Sequence, residues 1–262
     1  MRITIDHTTR YVYEAPVRYS TQYLRLVPPS NARQRVLDWT LDTPVPTLEL
    51  RDGYGNILHV LTIVNPVTEI AIRASGTVET SAAIDEGADE VKLSPLVFLR
   101  STALTRAEGP LIELAEQHRR RAGTLTGLRA IADAVRERLP FESGVTAVHS
   151  TALEAYEEGK GVCQDHAHVF LACCRHLGVP ARYVSGYLYL PGRDAPVASH
   201  AWAEAWVVDR WRSFDITNGR PAGEHHIRLA IGADYLDASP TRGVRHGGGL
   251  EQMSATAHVT AP

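Results

Sequence analysis

A cysteine stands where a helix should begin. The stretch is Gly159-Lys160-Gly161-Val162-Cys163-Gln164-Asp165-His166-Ala167-His168. Beyond it Ala167, Phe170, Leu171, Cys174 and Leu177 recur at helical spacing, and Gly178 and Pro180 supply the stop. The free N–H groups and positive dipole end of a helix favour a thiolate at such a place. No Ser, Thr, Asp or Asn immediately precedes Cys163 as a conventional cap, so the site serves a purpose other than helix stability. Gly161, with no side chain, would let a substrate backbone approach.

A thiol nucleophile needs a base, and the base needs an orienting partner. Ser199 to Trp206 reads as a strand of period two, with His200, Trp202, Glu204 and Trp206 on one face. Ala201, Ala203, Ala205 and Val207 make the other face, small enough to pack closely on a helix. Trp211-Arg212-Ser213-Phe214-Asp215 follows and offers Asp215 as the orienter. Register tests this. A two-residue turn at Asp209-Arg210 would put Asp215 opposite Glu204, about 13 Å along the strand from His200. A four-residue loop, Val207 to Arg210, puts Trp206 opposite Trp211 and Asp215 opposite Trp202. His200 is then a diagonal neighbour within side-chain reach. The second register is expected.

Other residues compete for roles. Cys163, Asp165, His166, His168, His200, His225 and His226 are ligand types that zinc accepts. His166 and His168, however, lie about 200° apart around a helix and do not converge. No metal and no cofactor are expected. Asp165 reads as a first-turn acid favoured by the helix dipole. Cys173 and Cys174 read as core, and Cys174 lies about 16 Å along the helix from Cys163, too far for a disulfide. Gln164, Tyr187 and Trp202 are candidates for oxyanion or substrate contacts, with core packing the competing role for the two aromatics.

The elements that must position these residues fall into two groups. Residues 1 to about 80 read as short strands: Ile3, Ile5, Tyr11 and Tyr13 alternate with polar neighbours, and Glu14-Ala15-Pro16 ends that run. Further strands are expected at 36–42, 46–51, 57–64 and 67–80, with a hairpin signal at Asp52-Gly53-Tyr54-Gly55-Asn56. This suggests an antiparallel sandwich. Residues 81–105 are irregular and hold the expected domain junction. Helical periodicity follows at Leu111–Arg121 and Leu125–Leu139; Arg119-Arg120-Arg121 reads as a solvated helix end. Strands are expected at about 181–190, 199–208 and 211–217. Gly247-Gly248-Gly249 in the tail reads as a plain turn rather than a hinge. The division is therefore 1–100 for an N-terminal β domain with connector and 101–262 for an α+β core with a C-terminal extension.

Composition narrows the class without naming a function. The 262 residues carry 27 basic and 30 acidic side chains, a net charge of −3, so no strong pull toward nucleic acid or an anionic membrane is expected. No uncharged apolar run reaches the roughly 18 residues of a membrane helix, and the polar, alternating N-terminus does not read as a signal peptide. Three cysteines make no disulfide framework, and a cytoplasmic location is expected.

Gly161-Val162-Cys163-Gln164-Asp165, Ser199-His200-Ala201-Trp202 and Phe214-Asp215-Ile216-Thr217-Asn218 together resemble the core of the bacterial transglutaminase-like superfamily. Ala181 to Tyr187 fits the strand after the nucleophile helix. Tyr11 to Val17 and Asp52 to Asn56 resemble the β domain that often precedes this core. The resemblance implies a papain-like α+β fold, in which a nucleophile helix packs on an antiparallel sheet. It implies a triad of Cys163 as nucleophile, His200 as base and acid, and Asp215 as orienter. The chain departs at Ile216, where the family commonly has proline. It also has no tryptophan between Trp39 and Cys163, where animal transglutaminases place their oxyanion donor. The backbone N–H of Cys163 is then the expected donor, with Gln164 second. The implied activity is acyl transfer on a peptide or protein amide, by hydrolysis or by transfer to an amine. A non-catalytic binding module on the same fold is the alternative, and a zinc protein the third.

Overall fold

The structure is a computed structural model, and it describes residues 1–82, 93–192 and 199–262. Part of the expected junction, 83–92, therefore lies outside the described residues. The first sheet is built on one long strand. β1 (Arg2–Leu24) runs straight through Glu14-Ala15-Pro16, which was expected to end it. Proline cannot donate to a ladder, so the strand tolerates it at a register break. The break lies between Val12 and Val17, where Glu14 and Ala15 still donate to the Leu250 and Gly248 carbonyls at 3.0 Å.

Strands flank β1 on both sides. β4 (Ile57–Ile63) and then β5 (Val67–Thr80) run antiparallel to it on one side. β10 (Thr241–Gly247) and then β11 (Glu251–Thr260) run antiparallel on the other. β2 (Gln34–Asp42) adds outside β5, and β3 (Leu48–Arg51) outside β4. The two halves of this seven-stranded sheet share one apolar cluster. Leu24, Leu61 and Ile63 meet Ile70, Ile72 and Ala74 there, with Tyr13 and Val17 at the break. The sandwich-like domain is thus one sheet folded at its interruptions.

The tail corrects the expected division. Residues 241–260 were assigned to the second unit, yet both their strands complete the first sheet. Gly247, Gly248 and Gly249 form no hairpin turn. All three have positive φ and carry one strand past the break, and a Cβ at Gly248 would come within 2.6 Å of the Val17 side chain.

The second sheet has the order β8-β7-β6-β9, all antiparallel. β6 is Ala181–Leu188, β7 His200–Val207, β8 Arg210–Phe214 and β9 His226–Gly232; β9 was not anticipated. Trp206 pairs with Trp211 as expected, and Val207 pairs with Arg210 as well. The turn proper is Val208-Asp209, both at positive φ, the twist that suits a two-residue hairpin. α1 (Pro110–Gln117), α2 (Leu125–Arg138), α3 (Ala152–Glu158) and α4 (Cys163–His176) cover one face, and α5 (Tyr235–Ala238) follows β9. α3 escaped the sequence reading because only Ala152 and Ala155 of its seven residues are buried. On the covered face Ala201, Ala203 and Ala205 pack against Ala167, Phe170 and Cys174 of α4. The small side chains let α4 lie close to β7. Cys173 and Cys174 are fully buried in this core, and burial pushes the Cys173 thiol up to about 12.

The first sheet docks on the second through Ile3, Ile5 and Val78 against Tyr187, Ile227 and Leu229. Two side-chain amides act as extra strand residues along the edge of β9. Gln34 donates to the Arg228 carbonyl and accepts its N–H, at 2.9 and 2.8 Å. Asn56, from the expected hairpin, does the same with Ile231 at 2.7 and 2.8 Å. These contacts satisfy an edge that would otherwise be open. Among the described residues no helix is long and apolar enough to cross a membrane.

Candidate active site

Cys163 is the first residue of α4, half-buried, with Val162 at the cap position. Valine has no side-chain acceptor, so the first-turn N–H groups stay available. Asp165 anchors the lead-in instead. Its Oδ2 accepts from the Val162 N–H at 2.8 Å and from the Thr146 hydroxyl at 2.6 Å. It is a first-turn acid, as expected, and also a tether. Gly161 has a different purpose from the one anticipated. A Cβ there would lie 2.7 Å from Asp165 Oδ2, so the glycine makes room for this carboxylate rather than for substrate.

His200 opens β7 and Asp215 follows the last residue of β8. The structure brings both to Cys163. His200 faces Cys163 on one side and Asp215 on the other. Its Nε2 lies 3.1 Å from Asp215 Oδ2, although the N–H points off the ideal line. Burial works against a charge on His200, but these two partners outweigh it and push the imidazole up to about 10. Burial also opposes charge on Asp215. Hydrogen bonds from His200 and His226 win there and hold the carboxyl well below the usual carboxylate range. Asn218 adds two contacts, Nδ2 to Oδ2 at 2.7 Å and its backbone N–H to Oδ1 at 3.3 Å.

Cys163 and His200 open onto a cleft of about 590 Å³. Tyr183 and Tyr235 line it, with apolar walls from Phe141, Val162, Leu188 and Pro240. Among the described lining residues there is no Asp, Glu, Lys or Arg.

The remaining candidates separate. Gln164 reaches the cleft, but its amide donates to the Val148 carbonyl at 3.2 Å, so it is already engaged. Tyr187 does not line the cleft. It is fully buried between the two sheets, its hydroxyl 2.7 Å from His7 Nδ1. The β6 register shift at Ser185/Gly186 carries it there. Trp202 is also buried away from the cleft. It stacks on His200 at 6.1 Å and meets His226 edge-on at 5.3 Å, so it supports rings rather than substrate. The expected ligand types scatter too. His166 bridges Thr217 and the Leu139 carbonyl at 2.8 and 2.6 Å, and His168 accepts the Tyr235 N–H at 3.1 Å. Among the described residues, only His200, Asp215 and His226 bring three such ligand atoms within 4.8 Å.

His226 and Asn218 are the residues that the sequence did not assign to this centre. The pair His225-His226 was legible only as ligand types; its place beside Asp215 depends on β9 pairing with β6.

Comparison with known proteins adds the family. The model described as "Transglutaminase-like superfamily" matches residues 113–216, and that described as "Bacterial transglutaminase-like N-terminal region" matches residues 3–79. An uncharacterized protein of Mycobacterium leprae is 34% identical, over 99% of this chain and 98% of its own length. An uncharacterized protein of Mycobacterium tuberculosis is 29% identical, over 93% and 87%. Among solved structures, a Cytophaga hutchinsonii protein described as a "Putative Cysteine Protease" superposes with a TM-score of 0.80. It is 23% identical, and the match covers 99% of this chain and 90% of that one.

Proposed function

The chain belongs to the transglutaminase-like superfamily, and from that premise we propose that it is a cysteine-dependent acyl-transfer enzyme acting on peptide or protein amides, with Cys163, His200 and Asp215 as its triad. The observation that carries the reading is Cys163 on the uncapped first turn of α4, beside a His200 whose Nε2 lies 3.1 Å from Asp215 Oδ2.

The chemistry follows from the positions. Nε2 of His200 is turned to Asp215, which leaves Nδ1 for Cys163. The Cys163 sulfur attacks the amide carbonyl, and its proton resides on His200 as imidazolium. The backbone N–H of Cys163 receives the developing oxyanion. His200 passes its proton to the leaving amine as the C–N bond breaks, and a thioester remains. Water then attacks, giving its proton to His200, and the C–S bond breaks to yield a carboxylate and the free thiol. We carry hydrolysis forward; an amine in place of water yields a new amide by the same steps. The cleft, with no Asp, Glu, Lys or Arg among its described lining residues, suits an uncharged, partly apolar acyl group.

The test is brief treatment with iodoacetamide at about pH 6, followed by intact-mass measurement and peptide mapping. The expected result is one label, on Cys163, lost in His200→Ala. No label, or labels spread over all three cysteines, would overturn the reading. Cys163→Ala should keep the fold and lose all turnover. A fluorescent primary amine supplied with a protein substrate separates crosslinking from hydrolysis.

A further inference from the structure

Asp215 lies just past the point where β8 stops pairing with β7, at Phe214 opposite Ala203. Its backbone pairs instead with Arg220 in the loop that follows. Its carboxylate needs other anchors, and the His200 contact is not a firm one, being off line at 3.1 Å. Asn218 is one anchor. The other comes from the far edge of the sheet. His226 opens β9, opposite Leu188 on β6, and its Nε2 lies 3.0 Å from Asp215 Oδ2.

The His226 ring has a defined tautomer. The Gly223 backbone N–H donates to Nδ1 at 3.1 Å, so the Nδ1 lone pair is occupied and the ring proton sits on Nε2. Nε2 therefore donates to Asp215. That proton also takes the atom away from any metal ion that His200, Asp215 and His226 could otherwise share. Trp202 packs edge-on against the ring, and the side chain is only 3% exposed.

We propose that His226 is a positioning residue: a neutral imidazole, locked as the Nε2–H tautomer, that ties Asp215 to β9 and so holds Oδ2 at Nε2 of His200. The catalytic consequence rests on the triad reading; the geometry does not. Burial lowers His226 despite the neighbouring carboxylate, so it stays neutral and leaves the Asp215 charge to His200. The groups that face this pair are His200 on β7, Arg220 in the loop after β8, Cys163 beyond His200, and His166 on α4.

The test is a titration of the full chain carrying ¹⁵N-labelled histidine, followed by NMR, for the native protein, His226→Gln and His226→Phe. Glutamine can still donate to Asp215, and phenylalanine cannot. In the native protein His226 should show the neutral Nε2–H form without titrating near its ordinary range. In His226→Phe the His200 titration should fall by about one pH unit or more, as expected when a nearby opposite charge loosens. The pH profile of Cys163 labelling by iodoacetamide should move down in step with that shift. His226→Gln should restore most of both. A native His226 carrying its proton on Nδ1, or a His200 midpoint and labelling profile unchanged in His226→Phe, would overturn the proposal. The native spectrum decides even if His226→Phe fails to fold. A His200 shift in His226→Phe with an unreactive native Cys163 would retain the positioning role and reject the proposed activity.

Discussion

The two sheets use polar residues in opposite ways. Along β5 of the first sheet, buried and open positions alternate over much of the strand, whereas all eight residues of β6 in the second are buried. The first sheet faces water on one side, and its surface carries ion pairs such as Arg73 with Asp6 and Arg10 with Glu69. The second is covered by α4 on one face and by Phe98 and the first domain on the other. A polar group inside a two-faced sheet has no water to fall back on, so each one needs partners. Arg182 of β6 meets Glu204 of β7 at 2.5 Å and lies over the Trp211 ring at 4.1 Å. His200, Asp215 and His226 make another such group on this sheet. The lesson is that the chemistry-bearing residues and the structurally demanding polar residues share one sheet, and the outer sheet holds its edge in place.

The largest effect that would sharpen this contrast is on turnover. Asp215→Asn should lower the rate of acyl transfer by roughly 10⁴-fold through the wrong imidazole tautomer. An undiminished rate would remove Asp215 from the mechanism. A stability effect comes next. Glu204→Ala strands a buried guanidinium and should cost about 3–5 kcal/mol in urea denaturation. Arg73→Ala, on the open face of the first sheet, should leave the denaturation midpoint unmoved. Equal shifts for the two variants would break the comparison.

A third contrast is the pH dependence of stability. Burial lowers His7, at the junction of the sheets, to about 4, and His168, in the core, to about 3. Each folded value lies below the unfolded 6.5, so their contribution is full above about pH 6.5. It is lost as the pH falls through 4 and 3. His200 has the opposite sign. Raised to about 10, it stabilises fully below pH 6.5, and that contribution is lost as the pH rises through 10. Melting temperature against pH should therefore fall on both sides, and His7→Gln should flatten the acid limb alone. An acid limb unchanged in His7→Gln would mean that the junction does not titrate.

Much of this was legible in the sequence where a local rule applies. The helix from Cys163 follows from apolar spacing with a glycine and proline stop. The strand pattern His200–Val207 follows from alternation, and its pairing with β8 has Trp206 opposite Trp211. Other features were hidden because their cause is distant. Pro16 reads as a strand end until Val67 and Gly247 are seen beside Val17. Tyr187 reads as a pocket wall until the shift in β6 turns it toward His7. Gly161 reads as room for substrate until Asp165 fills the space.

The sequence by itself determined which residues could carry the chemistry: a thiol at an uncapped helix start, a histidine beginning a strand and an aspartate ending the next. Periodicity and turn chemistry act over a few residues, so they can be read from neighbours alone. Only the tertiary structure decided what surrounds them. The tail returns to β1 across more than 200 residues of chain, and His226 reaches Asp215 only because β9 pairs with β6. Such contacts form when a buried polar group must find a partner somewhere in the fold, and the partner's position in the chain leaves no local mark.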